Sequence, residues 1–315
     1  MIPFTSIEEA ETALNRSLTF SESLWYRSTH NVNDYFLYIH NIIFLFLIFN
    51  LAPLPSVLLD VWKVKAAEKY KVQPGTHNDK ASTWKCYKMV MWTFVTVVGP
   101  LQLFSFPAVK FIGVRFGLPL PSLGEVCVQL LLYTIVEDYG NYWLHRWLHN
   151  GWWYDNIHYM HHEFTSPMSF AAPYAHWAEV MILGIPTFAG PAMAPGHIIT
   201  FWLWIAMRQL EAIETHSGYD FPWNPTRFVP LYGGAEYHDY HHFVGGKSQS
   251  NFASVFTYCD WLYGTDKGYR YMKEMHKKEA IAKGKQQQED RGNGRLETDA
   301  LSTVPLNYTK DIKSS

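Results

Sequence analysis

Three histidine clusters are the residues of this sequence whose spacing could do chemistry. They read HRWLH at 145–149, HYMHH at 158–162 and HDYHH at 238–242. Residues three or four apart share one face of a helix, so each cluster is expected to direct two or three imidazoles the same way. Neutral imidazole is a common ligand of transition metals. The clusters therefore predict a metal centre.

Two further histidines, His176 and His216, lie where hydrophobic segments end beside the clusters. Eight to ten imidazoles exceed the about four to six ligands of one metal ion and fit two. Imidazole binds Zn, Fe, Cu or Ni, so the residues alone leave the metal open. A nitrogen-rich pair of irons suits activation of O₂ against an inert C–H bond. The ten candidate ligands are His145, His149, His158, His161, His162, His176, His216, His238, His241 and His242.

The remaining histidines are interpreted as isolated interface or core residues, and they are His30, His40, His77, His197 and His276. Carboxylates and amides near the clusters suggest a supporting layer, because ligand imidazoles commonly donate their second N–H to such groups. Asp138 and Asn141 share a predicted helix face with His145, and Glu179 and Asp239 lie similarly close to candidate ligands. Helix capping or solvation of the surface is the alternative for each. None of the four resembles a nucleophile.

The composition excludes several classes of function. A formal net charge of −2 gives no reason to expect nucleic-acid binding. The three cysteines are far apart and form no CxxC pair, which argues against a thiolate metal site. No GxSxG, P-loop or GxGxxG motif supports a hydrolase, an ATPase or a dinucleotide-binding enzyme.

Hydrophobic segments then determine how the clusters are positioned. Residues 36–59 and 89–108 are long and apolar enough to cross a bilayer. A third segment, 123–136, continues without a helix breaker to His149, and residues 178–215 contain two apolar stretches around Gly190-Pro191 and Pro195-Gly196. Residues 1–35 contain no apolar core of a signal peptide, so an internal segment is expected to direct insertion.

These segments predict an all-α integral membrane protein with four to five transmembrane helices and a cytosolic, histidine-rich helical cap around a dimetal centre. Seven lysines follow the first segment and place that loop in the cytosol by the positive-inside rule. Alternation of the segments then sends the N-terminus to the lumen and all histidine clusters to the cytosolic face. The expected divisions are an N-terminal segment 1–35, helices and a basic loop 36–122, a catalytic domain 123–272 and a polar, disordered tail 273–315.

The order HxxxH, HxxHH and a distant HxxHH resembles the membrane fatty acid hydroxylase superfamily. Further stretches resemble the sterol C-4 methyl oxidases, with wording closest to the plant type that acts on 4,4-dimethyl sterols. These stretches are YAHWAE at 174–179, ETHSGYDFPW at 214–223, GGAEYHDYHH at 233–242, NFAS at 251–254 and YGTD at 263–266. The resemblance covers most of residues 1–272.

This resemblance implies a monooxygenase of the endoplasmic reticulum membrane with two non-haem irons. It would use O₂ to oxidise a C-4 methyl group stepwise through alcohol and aldehyde to carboxylate, which a partner C-4 decarboxylating sterol dehydrogenase removes. NAD(P)H would supply electrons through a reductase and cytochrome b5. The chain has no His-Pro-Gly-Gly segment of its own, so a separate cytochrome is expected.

The apolar walls would hold the sterol, and the Tyr and Trp side chains of residues 219–240 are candidates for contact with its 3-hydroxyl. The alternatives are another di-iron lipid hydroxylase, acting on sphingolipids or fatty-acyl chains, or a membrane metal transporter. A transporter would need histidines within the spanning segments, whereas these lie at segment ends and between segments.

Overall fold

The structure of the chain, a computed structural model, describes residues 4–244 and 250–292. This part of the chain is helical, and its β-bridges are isolated pairs outside any strand. Its α-helices are α1 (Ile7–Leu14), α2 (Phe20–Thr29), α3 (Asp34–Leu51), α4 (Leu54–Val61), α5 (Lys80–Thr93), α6 (Gly99–Phe104), α7 (Phe106–Phe111), α8 (Leu123–Leu148), α9 (Gly151–Asn156), α10 (Trp177–Met193), α11 (Ile198–Thr215), α12 (Gly234–Val244), α13 (Tyr258–Tyr263) and α14 (Lys267–Gly292).

Two helical stretches of the described residues are long and apolar enough to cross a membrane. Asp34–Val61 comprises α3 and α4, and Lys80–Phe111 comprises α5 to α7 with a π-helical turn at Phe94–Val98. Only 28% and 22% of their most apolar windows are buried, so most of these apolar side chains face outward, as lipid-facing side chains do. The sequence-based segments 36–59 and 89–108 fall inside these stretches.

Helix α8 continues unbroken from the third apolar segment to the first histidine cluster, as the sequence predicts. The Ser122 side chain caps its N-terminus by accepting the backbone N–H of Glu125. Glycines allow α8 to pack closely on α10. A Cβ on Gly190 of α10 would lie 2.7 Å from the Tyr133 Cα of α8, and a Cβ on Gly140 of α8 would lie 2.8 Å from the Pro186 Cβ.

The two apolar stretches of residues 178–215 form α10 and α11, and the turn between them differs in one detail from the prediction. The turn lies between Met193 and Ile198 and so contains Pro195-Gly196 of the predicted signal, whereas Pro186 and Pro191 lie inside α10. Gly190 allows α10 to pack closely against α8 and does not form a turn. Helix α11 then packs against α3 and α12 and ends at Thr215. The ends of α8 and α11, the 3₁₀ segment His158–Glu163 and α12 thus carry the histidines.

The polar segment that follows the third cluster is helical where it is described. Helix α14 extends from Lys267 to Gly292, so the expected disorder from residue 273 is wrong for this part of the chain. Lys, Glu, Gln and Ala favour helix even where packing contributes little, which explains the difference. Residues 293–315 of the predicted tail lie outside the described residues.

Candidate metal centre

Nine of the ten candidate ligands converge in two neighbouring groups. In each group the possible ligand atoms all lie within 4.8 Å of one another, and every one of these histidines is buried. The five-histidine group contains His145, His149, His158, His162 and His241, and the four-histidine group contains His161, His216, His238 and His242. Clusters far apart in the sequence therefore meet at two adjacent points.

Each HxxHH cluster contributes to both groups. His158 and His162 join the five-histidine group, whereas His161, between them, joins the other. On α12 the assignment reverses, and the middle histidine, His241, is the one that joins the five-histidine group. Two of the three imidazoles of each HxxHH motif therefore share a direction, as expected, and the third points to the neighbouring group. The histidines at positions i and i+4 of each motif belong to one group, and the histidine at position i+3 belongs to the neighbouring group.

The spacing of the ring nitrogens in the five-histidine group fits ligands of one ion. The Nε2 of His158 lies 3.2 Å from that of His145, 3.0 Å from that of His149 and 3.2 Å from that of His162. Two nitrogens at right angles, each about 2.1 Å from a shared metal ion, are about 3 Å apart. The observed distances match this value.

The four-histidine group repeats this geometry. The Nε2 of His216 lies 3.2 Å from that of His161 and 3.0 Å from that of His238, and the Nε2 of His242 lies 3.2 Å from that of His238. Four imidazole nitrogens at this spacing form a donor set for one transition-metal ion. The described residues thus offer two adjacent nitrogen-rich sites.

Backbone carbonyls fix which ring nitrogen carries the proton. A carbonyl oxygen can only accept, so a histidine whose Nδ1 lies beside one must donate Nδ1–H and leave the Nε2 lone pair free for a metal. Four histidines are held in this way: His145 by Phe252 O at 2.8 Å, His161 by Tyr174 O at 3.2 Å, His216 by Ala212 O at 2.7 Å and His241 by Ser250 O at 2.7 Å.

Burial keeps these ligands uncharged. It lowers the pKa of His145 from 6.5 to about 4, and it lowers the pKa of His161 to about 4. The direction follows because a buried imidazolium loses its hydration. A neutral imidazole is the form that binds a metal, so both groups are ready for metal binding near pH 7.

Glu179 is the one predicted supporting residue that lies against a ligand imidazole. Its Oε1 is 2.9 Å from the Nδ1 of His158, and both side chains are fully buried. A carboxylate at this position orients the ring and increases its basicity toward a metal. Glu179 lies in the first turn of α10, so the start of that helix helps to position the five-histidine group.

The other three predicted supporting residues have different partners. Asp138 Oδ1 accepts the backbone N–H groups of Val255 and Phe256, and Asp239 Oδ1 accepts the side-chain N–H of Gln73 at 2.8 Å. The expectation that Asp138 and Asp239 accept from ligand imidazoles is therefore wrong. Asn141 forms no hydrogen bond with an imidazole of the described residues, and its Nδ2 donates to Glu137 Oε1 at 3.2 Å.

His176 lies outside both groups. Its Nδ1 accepts the backbone N–H of Ala178 at 3.2 Å and so caps the N-terminus of α10. The side chain is only partly buried, unlike the nine histidines of the two groups. The structure therefore does not support the prediction that His176 is a ligand. Its position just before an apolar helix suits a cap as well as it suits a ligand.

The segment 250–257, whose NFAS stretch carries part of the family resemblance, supplies backbone contacts that its residue types do not predict. Its carbonyls at Ser250 and Phe252 accept from His241 and His145. Asp260 holds the segment by accepting the backbone N–H groups of Phe252 at 2.9 Å and Ala253 at 2.8 Å. Backbone acceptors leave no residue-type signal, so only the buried Asp260 could have indicated them.

The five isolated histidines also lie outside both groups, in agreement with their interpretation as core or interface residues. His197 is fully buried, caps α11 and contacts Gly117 O at 3.0 Å. His77 lies 2.9 Å from Asp60, and His30 and His40 contact backbone carbonyls of their own helices.

A cavity borders both histidine groups. It reaches His145 and His158 of one group and His161, His216 and His238 of the other. With its mouth it contains about 1320 Å³ of space between atoms. Most of its wall is apolar and comes from the two long stretches, α10 and α11, with residues such as Leu45, Phe49, Val90, Phe94, Leu183 and Ile205.

The aromatic residues at 219–240 do not line this cavity. Tyr219 packs beneath the Lys71 ammonium, which lies 4.7 Å from its ring, and the Tyr232 hydroxyl donates to Glu214 at 2.7 Å. The structure therefore gives these side chains no place in the wall of the cavity beside the histidines.

Comparisons with known proteins give the same assignment as the histidine geometry. The family model described as fatty acid hydroxylase matches residues 130–265. Methylsterol monooxygenase 1-1 of Arabidopsis thaliana is 60% identical over 87% of this chain and 93% of its own. Very-long-chain aldehyde decarbonylase GL1-10 of Oryza sativa subsp. japonica is 62% identical over 87% of this chain and 91% of its own. No solved structure matches significantly. The chain therefore belongs to the fatty acid hydroxylase family.

Proposed function

We propose that the two histidine groups hold two iron ions. The convergence of nine buried imidazoles, with ring nitrogens 3.0–3.2 Å apart, is the observation that carries this proposal. The donor set is entirely nitrogen, which suits iron and the chemistry of the family. When bound, the irons would supply activation of O₂ for attack on a C–H bond, and the histidines would hold them in a water-poor site.

The metal proposal is tested on the full chain purified in detergent or nanodiscs. Elemental analysis should find about two irons per chain after loading under reducing conditions. His161→Ala and His241→Ala remove one ligand from different groups, so each should lower the iron content and abolish turnover. Full iron content and activity in both variants would overturn the assignment.

We infer further that the substrate is a 4,4-dimethyl sterol and that the reaction is O₂-dependent oxidation of a C-4 methyl group, through alcohol and aldehyde, to carboxylate. The apolar cavity beside both groups suits a flat lipid with one polar handle. Relatives named methylsterol monooxygenase support this substrate, with 60% and 61% identity.

Within this reaction the protein contributes orientation and exclusion of water. The apolar wall formed by α3, α5, α10 and α11 would pack against the sterol rings. It would thereby present one methyl group to the metal centre. Glu179 and the carbonyl acceptors would hold the ligand rings in the orientation that presents Nε2 to the metals.

A second candidate function follows from the rice relative named aldehyde decarbonylase, which is 62% identical to this chain. A long-chain aldehyde could also occupy an apolar cavity, so the two activities need a direct comparison. Purified enzyme is incubated with a 4,4-dimethyl sterol or with a very-long-chain aldehyde, each with O₂ and a reducing system. Oxidised sterol is the expected product, and alkane from the aldehyde with unchanged sterol would favour the second function.

We propose that the chain crosses the membrane of the endoplasmic reticulum four to five times with the histidines toward the cytosol. The seven basic residues between 63 and 88 support this orientation. Electrons from NAD(P)H would then arrive through a reductase and cytochrome b5, and a C-4 decarboxylating sterol dehydrogenase would act on the product. A tag inserted at residue 76 should be cleaved by protease in sealed microsomes; protection until detergent is added would reverse the orientation.

A further inference from the structure

The cavity wall contains a buried network of hydrogen bonds that does not contact the metal centre through any ligand histidine. Arg208 on α11 donates from Nε to Glu137 Oε1 on α8 at 2.6 Å, and its Nη2 donates to the Ser254 hydroxyl. Asn141 donates from Nδ2 to the same oxygen of Glu137 at 3.2 Å. Three of these residues, Asn141, Arg208 and Ser254, line the cavity.

This hydrogen-bond network fixes the orientation of the Asn141 amide. A carboxylate paired with a guanidinium acts as a hydrogen-bond acceptor, so the atom of Asn141 that faces Glu137 must be the amide nitrogen. The amide oxygen then points away from Glu137. Among the described residues, no donor forms a hydrogen bond with the Asn141 Oδ1 atom. This oxygen nevertheless retains some accessible surface, whereas the Oε2 atom of Glu137 is unpaired and fully buried.

The free oxygen of Asn141 therefore faces the cavity. The residue as a whole is only 6% exposed and belongs to the cavity wall, so the cavity is where its accessible surface lies. Asn141 also lies one helical turn before His145, a separation of about 6 Å along α8. An oriented hydrogen-bond acceptor thus stands beside the five-histidine group.

We propose that Asn141 Oδ1 accepts the hydrogen bond of the substrate's 3-hydroxyl and thereby determines which carbon faces the metals. The proposal rests on the proposed sterol substrate. The hydroxyl oxygen of such a sterol is three bonds from the C-4 methyl carbon, so its acceptor must lie close to the histidines. Glu137 and Arg208 are positioning residues, because they act on the substrate through Asn141.

Other polar residues of the cavity wall fit this role less well. Gln102 Oε1 already accepts from the Tyr38 hydroxyl at 3.2 Å. Thr187 uses its hydroxyl on the Leu183 carbonyl of its own helix. Gln209 is the remaining amide, but it lies two helical turns before His216, and no described residue orients it.

The test is a cycle that removes each half of the hydrogen bond, read out as binding to the zinc-loaded full chain in nanodiscs, where no turnover occurs. The ligands are a 4,4-dimethyl sterol and its 3-deoxy analogue. Asn141→Leu should weaken binding of the hydroxyl sterol by about 10- to 100-fold, the range for losing a buried hydrogen-bond partner. It should leave binding of the 3-deoxy analogue nearly unchanged, because the two losses describe one interaction.

Matched variants separate this proposal from a folding effect and from failure of the proposed function. Gln209→Leu, an amide on the same wall, should keep the full preference for the hydroxyl sterol. Glu137→Gln, which frees the amide to rotate, should reduce that preference while zinc content stays at two per chain.

Equal losses for both ligands in Asn141→Leu, or loss of the preference in Gln209→Leu instead, would overturn the role of Asn141. If the unaltered protein binds neither sterol, the proposed substrate itself is wrong.

Discussion

At the scale of single residues, the site depends on which nitrogen each histidine leaves free. Carbonyl acceptors at Phe252, Tyr174, Ala212 and Ser250 force four rings to present Nε2 inward. Phe252 and Ser250 lie in one segment, 250–257, and Tyr174 lies in another, whereas Ala212 is one turn before His216 at the end of α11. Three of the four orientations therefore depend on tertiary structure. The spacing of histidines in the sequence identifies the ligands but contains no information about this layer.

A comparison of two histidine variants tests the division between ligands and the helix cap. His176→Ala should retain both metal ions, since His176 caps α10 and lies outside both groups. It should cost about 1 kcal/mol of stability through the lost cap. Elemental analysis and thermal unfolding of the full chain measure the two effects. A loss of metal equal to that of His161→Ala would restore His176 as a ligand.

Glu179→Gln tests whether the carboxylate supports its ligand. The amide keeps the size of the side chain but replaces the carboxyl group beside His158 Nδ1 with a group that also carries N–H donors. Metal affinity should fall by about 10- to 100-fold, the usual effect of changing such a partner. Competition with a chelator measures the affinity. Glu125→Gln is the control, because Glu125 pairs with Arg115 in the first turn of α8, at the opposite end of that helix from His145, and metal affinity there should not change.

At the scale of elements, the close packing of α8 against α10 depends on two glycines. Gly190→Ala would place a Cβ 2.7 Å from the Tyr133 backbone, so the helices must separate. Overpacking of this kind costs about 1–3 kcal/mol and should lower the midpoint of thermal unfolding. Since α8 carries His145 and α10 carries Glu179, metal content should fall as well.

Gly184→Ala on the same helix is the matched control. A Cβ there would meet nothing within 4 Å, and alanine favours a helix over glycine by about 0.5–1 kcal/mol. The expected result is an unchanged or higher unfolding midpoint. A drop in both variants would show that α10 tolerates no added methyl group, and the packing explanation for Gly190 would be wrong.

The elements were predictable where hydrophobicity is continuous. Residues 36–59 and 89–108 lie in helical stretches interrupted at Ala52-Pro53 and at Ser105, and α8 covers 123–148, because long apolar runs leave few alternatives. The turn between α10 and α11 contains Pro195-Gly196, as predicted, but Gly190-Pro191 lies inside α10, because there glycine allows close packing on α8 and does not mark a turn. The tail was misjudged because charged, unbranched side chains can form a helix that buries little surface.

The site was predictable to the same degree. The spacing of the three motifs predicts eight of the nine histidines that converge, since three motifs of one residue type rarely have another explanation. The ninth, His216, is predicted from its place at a segment end. His176 was assigned from its place at a segment end, which does not distinguish a ligand from an N-cap. Asp138 and Asp239 were assigned from helix faces, and each instead binds a distant segment whose approach no local pattern encodes.

At the scale of the whole molecule, the buried histidines make the metal-free fold sensitive to acid. Burial lowers the pKa of His145 and His161 from 6.5 to about 4 in the folded state. The unfolded chain therefore binds more protons between these values, and stability is lost as the pH falls below about 6.5. Above that pH both states are neutral and stability should be level.

Thermal unfolding of chelator-treated protein between pH 8 and pH 5 measures this dependence. The midpoint should stay constant to about pH 6.5 and then decline steadily. The metal-loaded protein should decline less over the same range, because bound metal keeps the imidazoles deprotonated. A midpoint of the metal-free protein that does not change down to pH 5 would contradict the burial of neutral histidines.

The crossing of the HxxHH motifs has a consequence for how the centre fills. His161 and His162 are neighbours in one turn but belong to different groups, and His241 and His242 do the same on α12. An ion that orders one site therefore also orders backbone that the second site needs, so the two binding steps share a coupling free energy. Titration of the metal-free chain should be cooperative, with singly loaded protein scarce at half saturation. Two independent, equal steps would mean that each site is rigid before any metal arrives.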